Sequence, residues 1–262
     1  MTILLIILLC YLFLCLVIFI FQDKVIFIAR KFNENSPSMS AHKHEEITIE
    51  VNKIRLHGWL LNPGNDKLII YYGGSAEEVS GRIGELALIS NYTSLVLNYR
   101  GYGISEGSPT EKGLLDDAVK VFDKVTAQLN IPPEKVILLG WSLGTSVAVH
   151  VACQRNVSKV ILTTPFDNHI NVIKKYLPIF PFKLLIRHPF DSVSIADKIK
   201  APTMIFIAEN DKVISLNSSM NLANHITAPL NIITIKDAGH NDIHSFERYV
   251  TEINDFINKD LS

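Results

Sequence analysis

The chain opens on a block with no alternation at all: residues 3–21 are nineteen consecutive uncharged residues, mostly Leu, Ile, Phe and Val. At 1.5 Å rise per residue such a helix covers roughly 30 Å, the depth of a bilayer's hydrocarbon core. No positively charged side chain precedes Ile3, the apolar stretch is longer than that of a secretory leader, and no A-x-A-like site follows. Neither Cys10 nor Cys15 is preceded by the small residues of a lipoprotein processing site. Residues 1–22 are therefore expected to be an uncleaved single-pass anchor. Residues 32–43 are polar, with Asn, Ser and Pro, and complete a juxtamembrane linker expected over 23–44.

Beyond the linker the pattern becomes that of a folded domain, expected over 45–262. Residues 46–51 and 54–61 alternate apolar and polar positions around Asn52 and Lys53, which predicts a hairpin. From Lys67 onward, continuous apolar runs appear at 68–72, 94–99, 136–139, 160–163, 203–207 and 231–235. Such runs suit strands covered on both faces of a parallel sheet. Between them, 79–90, 112–129, 143–154, 215–225 and 242–258 have helical period. The alternation predicts an α/β domain with a mostly parallel, eight-stranded sheet and helices on both faces. One stretch breaks it: residues 167–200 are longer than an ordinary crossover and hold Tyr176, Leu177, Ile179, Phe180, Phe182, Leu184 and Leu185 around Pro178, Pro181 and Pro189. It reads as a small cap over the carboxyl edge of the sheet, where open α/β sheets bind ligands.

Charge and cysteines narrow the chemistry. With 25 Lys and Arg against 26 Asp and Glu, the chain has no basic excess to track phosphates, so nucleic acid is not an expected partner. Cys153 stands alone outside the apolar block, which leaves no disulfide framework, and no CxxC, HExxH or His/Cys cluster offers metal spacing. No metal and no cofactor is expected. Lys24, Arg30 and Lys31 all follow the apolar block, which by the positive-inside rule predicts a cytoplasmic domain.

Gly140-Trp141-Ser142-Leu143-Gly144 is a G-x-S-x-G pentapeptide between an apolar run and a helical segment. That context lifts the serine on a sharp strand-to-helix turn that needs small neighbours, at a helix N-terminus that favours developing negative charge. Ser142 is the expected nucleophile, and the N–H of Leu143 one expected oxyanion donor. A serine needs a base, and the base a carboxylate; on this turn the chain order is serine, acid, histidine. Asp211, after run 203–207, and His240, after run 231–235, obey that order. Glu209 emerges too early in its loop, and Asp242 is expected near the start of the last helix, with His244 inside it. His150, His169, His188 and His225 read as structural. Gly73-Gly74-Ser75 follows run 68–72, where this architecture supplies its second donor; the N–H of Ser75 is the candidate.

These motifs resemble those of the membrane-anchored α/β-hydrolase domain proteins, similar to the serine aminopeptidase and prolyl oligopeptidase branch. The carriers are residues 22–28, the run Tyr72-Gly73-Gly74-Ser75-Ala76-Glu77-Glu78-Val79, residues 98–107, the pentapeptide at Ser142, Pro165-Phe166-Asp167, Asp211, and Gly239-His240-Asn241-Asp242. The resemblance implies the α/β-hydrolase fold and an ester, thioester or amide hydrolase. It implies a structural role for Arg100, paired with Asp116 or Asp117. The expected substrate is a small-molecule acyl ester, thioester or lipid-like compound, met at the membrane by a monomer. A serine peptidase is the alternative enzyme, and a catalytically idle scaffold the alternative of another class.

Overall fold

The computed structural model describes residues 2–32 and 43–259. An apolar helix, α1 (Thr2–Ile26), leads into the domain and is long and apolar enough to cross a membrane. It runs four residues past the expected anchor boundary, because Gln22 and Ile26 are buried against the domain rather than left in a linker. Of the linker expected over 23–44, residues 33–42 lie outside the described residues.

Strands β1 (His44–Val51) and β2 (Ile54–Leu61) form the predicted hairpin, with Val51 paired to Ile54. Its two loop residues, Asn52 and Lys53, have φ of 52° and 63°, the left-handed pair whose twist suits a two-residue hairpin. The remaining strands are β3 (Leu68–Tyr72), β4 (Thr93–Leu97), β5 (Val136–Trp141), β6 (Lys159–Thr163), β7 (Thr203–Ala208) and β8 (Leu230–Ile235). Their order is β1-β2-β4-β3-β5-β6-β7-β8. Only the β1–β2 and β2–β4 pairings are antiparallel. This is the α/β-hydrolase fold that the resemblance implies.

Alternate residues of the central strands feed two cores. Leu68, Ile70 and Tyr72 face one side with α3 (Glu111–Leu129), α4 (Leu143–Ala152) and α7 (Leu216–Ala223). Ile69 and Tyr71 face the other, with α2 (Ile83–Ala87) and α8 (Glu247–Asn258). Helix α3 shows how locally this is encoded. Thr110 caps its start by accepting from Gly113 N–H, Asn130 ends it at φ 53°, and Leu114, Ala118, Val121, Phe122 and Val125 bury one stripe. Arg100 reaches that helix, and of its two expected partners the structure selects Asp117, by bidentate bonds of 2.7 and 2.6 Å.

Two expected helices are broken. Residues 79–90 divide into a 3-10 turn (Val79–Arg82), whose first N–H, that of Val79, is capped by the Asn98 side chain at 3.2 Å, and the short α2. Residues 242–258 divide at Phe246, which is extended, leaving the 3-10 turn Ile243–Ser245 ahead of α8. Asp242 and His244 are therefore not in the last helix. The apolar stripe Tyr249, Ile253, Phe256 and Ile257 does not project back in register to Ile243, so the chain turns to bury both segments.

Between β6 and β7, residues 167–200 carry α5 (His169–Lys174), α6 (Phe182–Leu185) and a 3-10 turn (Ala196–Lys198). His169 lies flat on Phe166 there, 5.0 Å between ring centres. Burial pushes its pKa down to about 4, and burial aided by the Arg82 cation pushes that of His244 down to about 2. Both imidazoles are neutral in the fold, whereas in the unfolded chain they take a proton near pH 6.5. Their contribution is complete above pH 6.5 and is lost as pH falls toward the folded values. Each is expected to remove about 1.4 kcal/mol of stability per pH unit below 6.5. Urea titrations at pH 7 and pH 5.5 check this, with His244→Gln expected to lessen the acid-induced loss by about 1.3 kcal/mol.

Candidate active site

Strand β5 runs on through Gly140 and Trp141, so that Ser142 stands at the point where strand becomes helix α4. Its backbone has φ 51° and ψ −116°, a region that costs a residue with a Cβ about 1–3 kcal/mol. The surroundings hold it there. Ser142 N–H donates to the Thr163 carbonyl at 3.0 Å, and the Ser142 carbonyl accepts from the Thr145 N–H and hydroxyl at 2.9 and 2.6 Å. A Cβ on Gly140 would lie 2.4 Å from the Gly144 carbonyl oxygen, and one on Gly144 would lie 2.0 Å from that of Tyr72. Both glycines are thus required by close approach of backbone to backbone.

Three distant side chains meet at this turn. His240 Nε2 is 3.0 Å from Ser142 Oγ, and His240 Nδ1 is 2.8 Å from Asp211 Oδ2. The other Asp211 oxygen accepts from the N–H groups of Val213 and Ile214, both at 2.8 Å. The side chains of Asp211 and His240 are only 7% and 9% exposed. The loops that carry them are laced together, with Asn210 N–H donating to the Ala238 carbonyl and Glu209 N–H to that of Ile235. A hydroxyl bonded to an imidazole that is itself held by a carboxylate can surrender its proton on attack.

The rival residues have other partners. Glu209 accepts from Asp237 N–H at 2.9 Å, and Asp242 from Gly239 N–H at 2.7 Å, tightening the turn that presents His240. His244 packs edge-on against Trp141 and Tyr249. His188 accepts from the Glu111 N–H and faces Asp23, while His150 contacts Gln154 and His225 the Asn221 carbonyl.

The loop after β3 abuts the serine turn, as the contact between Tyr72 and Gly144 requires. Among the described residues neither Ser75 N–H nor Leu143 N–H donates to another protein group. The Ser75 carbonyl is occupied, accepting from Tyr102 Oη at 2.8 Å and from Ile28 N–H, just past α1, at 3.0 Å. Sequence reasoning missed the clamp beneath this loop. Glu77 accepts from Gly74 N–H at 2.9 Å, from Tyr71 Oη at 2.8 Å and from Arg82 Nε at 2.6 Å. Burial and the neighbouring Glu77 carboxylate push the Tyr71 phenol well up, so it stays a donor. Arg82 lies 4.7 Å over the Trp141 ring, and Trp141 Nε1 donates to the His240 carbonyl at 3.3 Å. The available signal was a glutamate three residues past a glycine pair, followed by an arginine five residues on.

Comparison with known proteins agrees with this architecture. The sequence model of the family described as alpha/beta hydrolase fold matches residues 56–184. An uncharacterised protein of Mycobacterium tuberculosis is 26% identical over 223 residues, 79% of each chain. Human alpha/beta hydrolase domain-containing protein 17B is 30% identical over 166 residues, 63% of this chain and 56% of that protein. This chain thus spans little more than half of the human relative. Among solved structures, an esterase of Pyrococcus furiosus is similar with a TM-score of 0.71 and 20% identity, over 88% of this chain and 96% of that one. The enol-lactonase of Burkholderia xenovorans is similar with a TM-score of 0.64 and 17% identity, over 81% of this chain and 100% of that one. Strand order, the strained turn at Ser142 and these likenesses converge on one statement: the chain has the α/β-hydrolase fold.

Proposed function

We infer that this protein is a membrane-anchored serine hydrolase that cleaves carboxylic ester or thioester bonds of acyl or lipid-like substrates. The observation that carries the reading is the continuous line of hydrogen bonds from Ser142 Oγ through His240 to Asp211. Ser142 Oγ attacks the acyl carbon as His240 Nε2 takes its proton, and the same nitrogen returns that proton to the leaving alcohol or thiol. Water, activated by His240, then breaks the acyl-enzyme and releases the acid. Asp211 fixes the tautomer and stabilises the imidazolium. The N–H groups of Leu143 and Ser75 receive the oxyanion, the first assisted by the α4 dipole. The anchor bears on the substrate class, since Ile28 N–H, just past α1, bonds to the Ser75 carbonyl and so ties the apolar helix to the donor loop.

Full-length protein in detergent, offered p-nitrophenyl esters of short and long chain, acyl thioesters and aminoacyl amides, tests the class. Hydrolysis of esters or thioesters with amides inert is expected; cleavage of the amides alone would replace this reading with the peptidase. Glu77 acts in this scheme as a positioning residue for the donor loop. Glu77→Gln cannot serve three donors as an acceptor, so kcat for a soluble ester is expected to fall about tenfold with little change in KM. A fall in stability with kcat intact would leave Glu77 a purely structural role.

A further inference from the structure

We propose that the tip of the cap, residues 176–185, is a lipid-inserted wedge that enters one leaflet beside α1 and carries the rim of the active site down to the membrane surface. This rests on the reading of α1 as a bilayer anchor. The tip is not a free loop. Gln22 Nε2 donates to the Leu185 carbonyl at 3.0 Å, and Gln22 Oε1 accepts from Arg187 N–H at 2.7 Å. Farther along the helix, Tyr11 Oη donates to the Ile179 carbonyl at 3.0 Å, and the Tyr11 ring stacks on Phe180 with centres 5.6 Å apart. From Gln22 to Tyr11 is about 16 Å along a helix axis. A helix that spans the hydrocarbon thus holds Ile179 near mid-depth in a core about 30 Å thick.

The composition fits that depth. Ile179, Leu184, Tyr176 and Leu177 are 71%, 82%, 55% and 44% exposed, an apolar face continuous with that of α1. Irregular backbone in hydrocarbon must satisfy its own polar groups. Here the N–H groups of Leu177, Phe180, Phe182, Leu184 and Ile186 donate to carbonyls within or just before the segment, and prolines at 178 and 181 have none to satisfy. Two polar side chains of α1, Tyr11 and Gln22, add donors for the Ile179 and Leu185 carbonyls. Cations sit where the wedge would leave the lipid. Lys174, Lys175 and Arg187 flank it, and Lys183 has a stem long enough to reach the headgroups. At its other end, Tyr176 Oη donates to the Lys212 carbonyl at 2.6 Å, one residue from Asp211. The wedge therefore connects the anchor to the loop that carries Asp211.

Single cysteines carrying an environment-sensitive fluorophore test this in the full chain. The variants Ile179→Cys, Leu184→Cys and, as an aqueous control, Leu88→Cys are made in a Cys10→Ala, Cys15→Ala, Cys153→Ala background. Each is reconstituted in phosphatidylcholine and phosphatidylglycerol vesicles. Probes at 179 and 184 are expected to shift to the blue and to be quenched about threefold more by acyl-chain nitroxides than by aqueous iodide, with the reverse at 88. Protein that resists alkaline extraction yet shows 179 and 184 as aqueous as 88 would overturn the wedge and spare the anchor. Extraction of the protein at alkaline pH would overturn the anchor and the wedge together.

Discussion

Replacing Ser142 with Ala is expected to lower kcat for any hydrolysed ester by about 10⁶-fold and to abolish labelling by a fluorophosphonate. The basis is that Ser142 Oγ is placed 3.0 Å from His240 Nε2, the proposed base, and at the mouth of the N–H groups of α4. Without it the remaining donors give only the residual catalysis of a bound, polarised carbonyl, about 10³–10⁴ over water. Stability separates this loss from unfolding. Alanine keeps a Cβ in the same strained backbone at φ 51°, so Ser142→Ala should change unfolding free energy by less than about 1 kcal/mol. Ser142→Gly removes the Cβ and should be more stable than the parent by about 1 kcal/mol while equally inactive. A glycine variant no more stable would mean that the turn is relaxed and its geometry no product of selection for attack. An alanine variant that still labels would assign the nucleophile elsewhere.

The strained turn is legible in the sequence because the residues that form it are neighbours in the chain: an apolar run, two glycines on which a Cβ would lie 2.0 and 2.4 Å from backbone oxygens, and the start of α4. The positions of Asp211 and His240 follow from the same logic, each one loop beyond a parallel strand, because parallel strands deliver their carboxyl ends to one rim. What periodicity does not report is contact between loops. Glu77, Tyr71 and Arg82 look like unrelated polar positions until the pleat of β3 turns Tyr71 beneath the loop. The break at residue 246 arises from a mismatch of helical register between Ile243 and the stripe of α8, which is tertiary in origin. Tyr11 lies within a run legible only as apolar and Gln22 just after it, and their roles appear once the cap lies against them.

The carboxylate offers the sharper test, since its effect runs through a tautomer rather than through a missing atom. Two N–H groups, of Val213 and Ile214, converge on Asp211 Oδ1 and admit only an acceptor there. In Asp211→Asn the amide oxygen must therefore stay with them, which turns the amide nitrogen toward His240 Nδ1. An N–H donor at that place forces Nδ1 to accept, so the ring proton moves to Nε2, the atom that should be free to take the proton of Ser142. The fold is retained, since every hydrogen bond of residue 211 is still made, and kcat is expected to fall about 10⁴-fold. Glu209→Gln is the matched control. Its carboxylate is exposed and caps Asp237 N–H, which an amide oxygen does equally well, so kcat should stay within about threefold of the parent. Circular dichroism and burst kinetics on both variants decide the matter. Full activity in Asp211→Asn with a dead Glu209→Gln would move the acid to residue 209, and equal small losses in both would mean that His240 works without a carboxylate partner.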